Sequence, residues 1–178
     1  MIFIFIIFLS LFIQPHDTAT LECPKGWIEG PFLKTCYKYI AYPLTWFQAE
    51  FNCISYGGHL ASVSNGFLNA FLLGAAEEAD SGSYYWIGGT GVYLPSNNFT
   101  WSDASPFSYQ AWGPSQPGPD QFITQQTPGG QWYTFPYTTP LAYICEILQG
   151  SGGCQTIPPT IASQTTEAAE AEPTSSFP

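Results

Sequence analysis

The stretch WFQAEFNC at residues 46–53 decides the fold of this chain, together with the stretch YICE at residues 143–146. In the first stretch, Trp46, Ala49 and Cys53 recur at the spacing of one face of an α-helix. The second stretch is short and lies far along the chain, and we predict that it forms the final strand. Together the two stretches indicate a single small domain in which a helix is joined to that strand.

Composition excludes several classes of partner. The chain has 178 residues, of which 45% are hydrophobic and 17% aromatic, enough for one well-filled core. Charged residues make up only 9%, arginine is absent, and the formal net charge is −10. Because nucleic-acid binding rests on the neutralisation of phosphates by basic side chains, this composition argues against a nucleic-acid partner. It argues equally against binding to an anionic membrane surface.

The N-terminal residues 2–13 form an apolar run that only Ser10 interrupts. As a helix this run would reach about 18 Å, short of the ~30 Å hydrocarbon core of a bilayer. We therefore predict a secretory signal peptide over residues 1–20 rather than a membrane anchor, although no Lys or Arg precedes the run. Since no later segment is long and apolar enough to span a bilayer, we expect a secreted, extracellular protein without membrane insertion.

The five cysteines suit an extracellular compartment, where disulfides persist. Four of them, Cys23, Cys36, Cys53 and Cys145, lie in the predicted domain. Four cysteines allow three connectivities, and spacing alone does not choose between them. The fifth, Cys154, is left over, which indicates either a disulfide-linked dimer or a thiol capped by a small molecule.

Two helices are predicted from capping and periodicity. Thr45 and Gln48 form a capping-box pattern at the start of the first helix, and Gly57-Gly58 ends it. A second helix is predicted over about residues 65–78 with Ser64 as its N-cap. Its apolar positions keep a period of about 3.6 residues: Phe67, Leu68, Phe71, Leu72 and Ala75.

The rest of the chain reads as short strands, a long loop and a tail. From residue 84 onward periodicity fades, and residues 92–121 contain many prolines with little pattern. Residues 148–178 are rich in Gly, Ser, Thr, Pro and Glu and poor in large apolar side chains. Because such a segment cannot offset the entropy of folding, we predict a disordered tail over these residues.

Further motifs follow in order along the chain: GGHLASV at residues 57–63, WIG at 86–88, FTWSD at 99–103 and ICE at 144–146. With the first helix motif, they resemble the C-type lectin-like domain family over residues 23–147. The resemblance implies an α+β fold in which two helices flank small antiparallel sheets, with a long loop region that binds ligands.

The resemblance also implies two disulfides, Cys23–Cys36 and Cys53–Cys145. A further disulfide that relatives carry in the long loop region is absent here, and its positions correspond to Phe122 and Tyr137. We expect these two aromatic residues to pack against each other in its place.

The calcium ligands of the sugar-binding relatives are largely missing. Where those relatives have Glu-Pro-Asn or Gln-Pro-Asp, this chain has QPG at residues 116–118, and their Trp-Asn-Asp is WYT at residues 132–134. Only Gln116 and Asp120 match ligand positions, as vestiges. Because calcium takes six to eight oxygen ligands, we predict no calcium cofactor and no other bound metal ion. Either isomer of the Gln116–Pro117 bond is compatible with this sequence.

The candidate ligand-binding residues are Trp112, Gln116, Asp120 and Tyr133. Aromatic rings in this region offer stacking faces for sugars and anchors for protein partners; the alternative is that half or more of them are buried under the loop. The rings concerned are Tyr109, Trp112, Tyr133, Phe135 and Tyr137. Asn98 begins an N-glycosylation sequon, so we expect a glycoprotein.

Catalysis is not indicated. The resemblance makes His59 structural and assigns core packing to four aromatic residues, Trp46, Phe71, Trp86 and Trp101. No nucleophile elbow, His-Glu-x-x-His motif or glycine-rich phosphate loop occurs. We therefore predict a secreted, non-enzymatic recognition module that binds carbohydrate or glycoprotein, without nucleic acid and without the usual calcium-bridged sugar site. A protein-binding domain with no sugar activity, and a conventional calcium lectin with unusual ligands, are the alternatives. The resemblance implies an innate immune role.

Overall fold

The computed structural model describes residues 22–32, 34–79, 83–92 and 98–150. The predicted signal peptide, Cys154 and residues 151–178 of the predicted tail lie outside the described residues. In the part of the chain that is described, no helix is long and apolar enough to cross a membrane.

Within the described residues, two helices and eight strands follow one another. In order they are β1 (Ile28–Glu29), β2 (Thr35–Leu44), α1 (Trp46–Ser55), β3 (His59–Leu60), α2 (Gly66–Ala79), β4 (Tyr84–Thr90), β5 (Thr100–Trp101), β6 (Phe122–Gln126), β7 (Trp132–Phe135) and β8 (Leu141–Leu148).

The strands form one mixed sheet in the order β1-β2-β8-β4-β6-β7, with β3 paired to β8 and β5 paired to β4. All pairs are antiparallel except β4 and β8, which run parallel with Trp86 opposite Tyr143. This parallel pair joins the expected antiparallel ladders into a single sheet, and the predicted α+β fold with two helices is confirmed. Leu148, which the sequence placed in the tail, still pairs with Thr35 at the end of β8.

The capping of α1 is as predicted. The Thr45 N–H and hydroxyl both donate to Gln48 Oε1, at 3.2 and 2.8 Å. Trp46, Ala49 and Cys53 are buried on the inner face, as their spacing indicates.

The start and the buried face of α2 differ from the prediction. Asn65, not Ser64, is the cap, because Asn65 Oδ1 accepts hydrogen bonds from the backbone N–H groups of Phe67 and Leu68 at 2.9 and 3.0 Å. Phe67 is 67% exposed rather than buried, and Asn69 is buried instead. The Asn69 amide tolerates burial because it is fully partnered, with its Nδ2 donating to the Gly130 carbonyl at 2.9 Å.

Both implied disulfides are present, Cys23–Cys36 and Cys53–Cys145. The second joins α1 to β8 across 92 residues of chain, and the chain-entropy model gives a loop of this length about 4–5 kcal/mol of stabilisation. Of the aromatic residues expected in the core, Trp46, Trp86 and Trp101 are buried. Phe71 is half-buried and packs against the core.

Phe122 and Tyr137 pack together as expected, with ring centroids 5.7 Å apart. Phe47 of α1 contacts both rings, at 5.3 Å from Phe122 and 5.5 Å from Tyr137. Phe122 is buried, whereas 48% of Tyr137 is exposed. An aromatic cluster between α1 and the start of β6 therefore lies at the positions to which the resemblance assigns a further disulfide in relatives.

Candidate functional site

The segment that follows β5, residues 102–121, is the part of the long loop region that carries most candidate ligand-binding residues, and we call it the long loop. Trp112 forms an isolated parallel bridge with Trp132 of β7. The Gly113 N–H donates to the Trp132 carbonyl at 2.9 Å, and the Trp132 N–H donates to the Ala111 carbonyl at 2.7 Å. The middle of the long loop is thus fastened to β7.

The side chain of Gln116 is turned towards protein donors. Its Oε1 accepts hydrogen bonds from the Gly118 N–H at 3.0 Å, the Thr134 N–H at 2.9 Å and the Thr134 hydroxyl at 3.1 Å. The Gln116–Pro117 bond is cis. An amide oxygen has two lone pairs, so three donors already satisfy it. The same donors present positive hydrogen atoms where a cation would have to bind.

Gly118 is the third residue of the QPG tripeptide. The hydrogen-bond network of Gln116 and Thr134 occupies the space beside it. A Cβ on Gly118 would lie 3.1 Å from Thr134 Oγ1 and 3.6 Å from Gln116 Oε1. Thr134 is buried, and its hydroxyl stands between the two former ligand positions. The residues present therefore do not fit a calcium ion. Within the described residues, no group of three or more His, Cys, Asp or Glu side chains could hold a metal.

Trp112 and Tyr133 are both half-buried. The Trp112 ring packs against Phe99 at 5.0 Å and against Trp132 at 5.7 Å. The Tyr133 ring lies over the long loop at Gly113, where an added Cβ would come within 2.5 Å of the ring. Only glycine permits this close approach at residue 113, and both rings are partly exposed.

Trp112 and Gln116 contact β7 and Tyr133 belongs to it, and we call these three residues the β7 surface. Asp120 lies nearer the start of β6 and is half-buried. In the described part of the chain, no hydrogen bond joins the Asp120 carboxylate to Gln116. The other rings expected here, Tyr109 and Phe135, are also half-buried, so the region is neither fully exposed nor fully covered.

A buried carboxylate that the sequence did not single out lies on α1. Glu50 Oε1 is 2.6 Å from His59 Nδ1, and Glu50 Oε2 accepts from the Leu60 N–H at 2.9 Å and the Ser102 hydroxyl at 3.0 Å. These contacts tie α1 to β3 and to the start of the long loop, consistent with a structural role for His59. The signal was present in the sequence, because Glu50 shares the helix face of Trp46.

A pair of carboxyl groups was also not identified from the sequence. Asp103 of the long loop and Glu146 of β8 are hydrogen-bonded to each other. Burial, followed by the hydrogen bond and charge of Asp103, raises the pKa of Glu146 well above its usual value. Burial alone would raise the pKa of Asp103, but hydrogen bonds from the Ser105 backbone, Glu146 and other groups lower it overall. The lowered pKa keeps Asp103 ionised at neutral pH, so the pair carries at least one negative charge, while burial and the neighbouring Asp103 favour the protonated form of Glu146.

Asn98 lies at the edge of this region. It is exposed, and the Phe99 ring that follows it packs on Trp112. The geometry is compatible with a glycan at the sequon.

Comparisons with known proteins agree with this architecture. The Lectin C-type domain model matches residues 42–147. The chain is 34% identical over 99 residues to a Type-2 ice-structuring protein of Hemitripterus americanus, covering 56% of each. It is 32% identical over 135 residues to the low affinity immunoglobulin epsilon Fc receptor of Mus musculus, covering 74% of this chain and 39% of the receptor. The aligned part thus spans about half of the first relative and less of the second.

The fold superposes on the crystal structure of a calcium-independent type II antifreeze protein with a TM-score of 0.64 and 27% identity. That superposition covers 71% of this chain and 95% of the antifreeze protein. Since the family match extends over more than half of the residues and the fold agrees with it, the chain belongs to the C-type lectin domain family.

Proposed function

We propose that this domain recognises a carbohydrate or glycoprotein at the β7 surface without a calcium bridge. The observation that carries the proposal is that the amide oxygen of Gln116 already accepts hydrogen bonds from Gly118 and Thr134. Membership of this family makes the protein non-enzymatic, so binding is the activity to be explained. The likeness to a calcium-independent relative supports a site that works without the ion.

In this proposal, the faces of aromatic rings bind the sugar instead of a calcium ion. Trp112 and Tyr133 each offer a partly exposed ring beside polar backbone, and apolar sugar faces stack on such rings. Stacking without an ion bridge is weak, so each site binds weakly. A disulfide-linked dimer through Cys154 would raise the overall affinity by presenting two sites.

We also propose that the protein is secreted and N-glycosylated at Asn98. Two disulfides support an oxidising, extracellular compartment. Asn98 is exposed, which its modification requires. Expression in a secreting eukaryotic cell, followed by enzymatic removal of N-glycans, is expected to lower the mass of the wild type but not of an Asn98→Gln variant.

A glycan array probed in calcium and again in a chelator tests the central proposal. Binding that persists in the chelator supports it, whereas binding that disappears identifies a conventional calcium lectin and contradicts it. Tyr133→Ala is expected to weaken binding about tenfold, since aromatic stacking contributes about 1–1.5 kcal/mol. The matched control is Tyr42→Ala, because Tyr42 is 71% exposed on β2 and lies outside the β7 surface.

Protein binding without sugar activity is the second candidate, and the outer face of α1 favours it. Phe47 and Phe51 of that helix are 41% and 68% exposed, and Tyr137 beside them is 48% exposed. Aromatic residues of this kind anchor protein interfaces. An array without signal, combined with a partner captured from extracellular fluid by the wild type but not by Phe51→Ser, would favour this candidate. Thermal hysteresis in the same preparation would instead indicate ice binding.

A further inference from the structure

A cavity of about 540 Å³ opens on the side of the sheet where β8 meets the end of α1 and the start of α2. None of the β7-surface residues lines it. Its volume falls in the range of about 300–1,000 Å³ that is typical of small-molecule sites. The cavity is therefore a separate candidate site and is independent of the function proposed above.

The wall of the cavity includes both apolar and acidic side chains. Phe32, Leu68 and Ile147 supply apolar surface, and Asp103 and Glu146 supply the two carboxyl groups. No Lys or Arg is among the residues that line the cavity. A ligand that complements this wall has an apolar body and one positive charge.

The polar partners of the carboxyl pair hold it in place without neutralising its charge. The Ser62 hydroxyl donates to Glu146 Oε1 at 2.9 Å, and the Ser105 N–H donates to Asp103 Oδ1 at 2.9 Å. Tyr37 lines the same cavity, and burial, followed by the charge of Glu146, raises its pKa. The donors from Ser62 and Ser105 are neutral, so the negative charge of the pair has no cationic partner among them.

His59 is the remaining titratable group in the cavity wall. Its Nδ1 is 2.6 Å from Glu50 Oε1, so the carboxylate of Glu50 offsets any positive charge on the imidazole. Tyr37, His59, Asp103 and Glu146 together leave the cavity with a net negative character.

We propose that this cavity binds a small organic cation, a primary ammonium group carried on an alkyl or aryl body. The ammonium donates to Asp103 and Glu146, and the body packs against Phe32, Leu68 and Ile147. A cavity of about 540 Å³ accommodates a whole free amine, whereas a lysine side chain of a folded partner would also require the partner's backbone to reach the cavity mouth. A charge-assisted hydrogen bond of this kind changes affinity by about tenfold or more.

The test uses the full chain, isotope-labelled and with both disulfides formed, titrated with 2-phenylethylamine and followed by NMR. We expect saturable shifts at residues around Ser62, Asp103 and Glu146, and none at the β7 surface. The neutral isostere 2-phenylethanol is expected to bind at least about tenfold more weakly, since it lacks the charge. Shifts at the β7 surface only, equal binding of the alcohol, or no saturable binding would overturn the proposal.

Asp103→Asn is the decisive variant, because the asparagine keeps the acceptor for the Ser105 N–H but removes the charge. It is expected to weaken amine binding about tenfold, whereas the matched Asp120→Asn change in the long loop leaves binding within twofold. If Asp103→Asn does not fold, Ser64→Lys places a competing cation at the exposed rim and is expected to abolish binding. Unchanged binding in a folded variant would contradict the assignment.

Discussion

Two polar regions of this domain have opposite arrangements. Around Gln116, a side-chain oxygen at a predicted vestigial ligand position is satisfied by Gly118 and Thr134. Around Asp103 and Glu146, two carboxyl groups share a hydrogen bond and line an open cavity. The difference lies in the donors: protein N–H and O–H groups occupy the Gln116 oxygen, whereas the carboxyl pair lies in the wall of a cavity. An acceptor that the protein's own donors satisfy is less available to a ligand.

The largest expected effect concerns the aromatic cluster at the start of β6. Phe122→Ala is expected to destabilise the fold by about 3–5 kcal/mol, because a buried ring that packs on Phe47 and Tyr137 would be lost. The matched change on the cavity side, Phe32→Ala, removes a ring that is 45% exposed and is expected to cost less than about 1 kcal/mol. Urea unfolding followed by tryptophan fluorescence measures both, and equal losses would show that the cluster does not replace a bridge.

Removal of the Gln116 acceptor is expected to have an intermediate effect. Gln116→Ala leaves the buried N–H of Thr134 without a partner, which costs about 1–3 kcal/mol. Gln110→Ala is the matched control, since Gln110 is exposed and accepts only from Trp112 Nε1. A Gln116 variant as stable as the control in urea would mean that the network is not a structural replacement for the ion.

The carboxyl pair predicts a smaller effect that depends on pH. Because the pKa of Glu146 is raised in the folded state, its contribution to stability is complete below the ordinary value near 4.5 and is lost as pH rises towards the folded-state pKa. The melting temperature of the wild type should therefore fall on the alkaline side more than that of Glu146→Gln, which mimics the protonated acid. Asp120→Asn should leave the wild-type slope unchanged. Parallel slopes for the wild type and Glu146→Gln in differential scanning calorimetry would exclude a proton held by the pair.

Local patterns predicted much of the fold. The helix spacing of Trp46, Ala49 and Cys53 and the capping box at Thr45 depend on neighbours in sequence, and the structure confirms them. The cap of α2 was displaced by one residue, since Ser64 and Asn65 both carry a capping oxygen and only the backbone path selects one. The burial of Asn69 could not be predicted, because its partners Gly130 and Trp132 lie far along the chain.

The sequence supplied candidate site residues but not the hydrogen bonds that they make. Gln116 and Asp120 match ligand positions only by resemblance, and the roles of Trp112 and Tyr133 in binding stay a prediction. Nothing in the residue pattern indicates that Thr134 donates to the Gln116 oxygen, since that contact depends on how the long loop folds back on β7. The pairing of Asp103 with Glu146 likewise depends on the topology that brings β5 and β8 to one side of the sheet.

Calcium titration of the full chain by isothermal calorimetry is the most direct test of an ion-independent β7 surface. We expect no saturable heat for the wild type at millimolar calcium. A Gly118→Asn, Tyr133→Asn, Thr134→Asp variant, which restores side-chain oxygens and removes the Thr134 hydroxyl that donates to Gln116, is expected to gain saturable binding. Stoichiometric calcium binding by the wild type that Gln116→Ala abolishes would contradict the account.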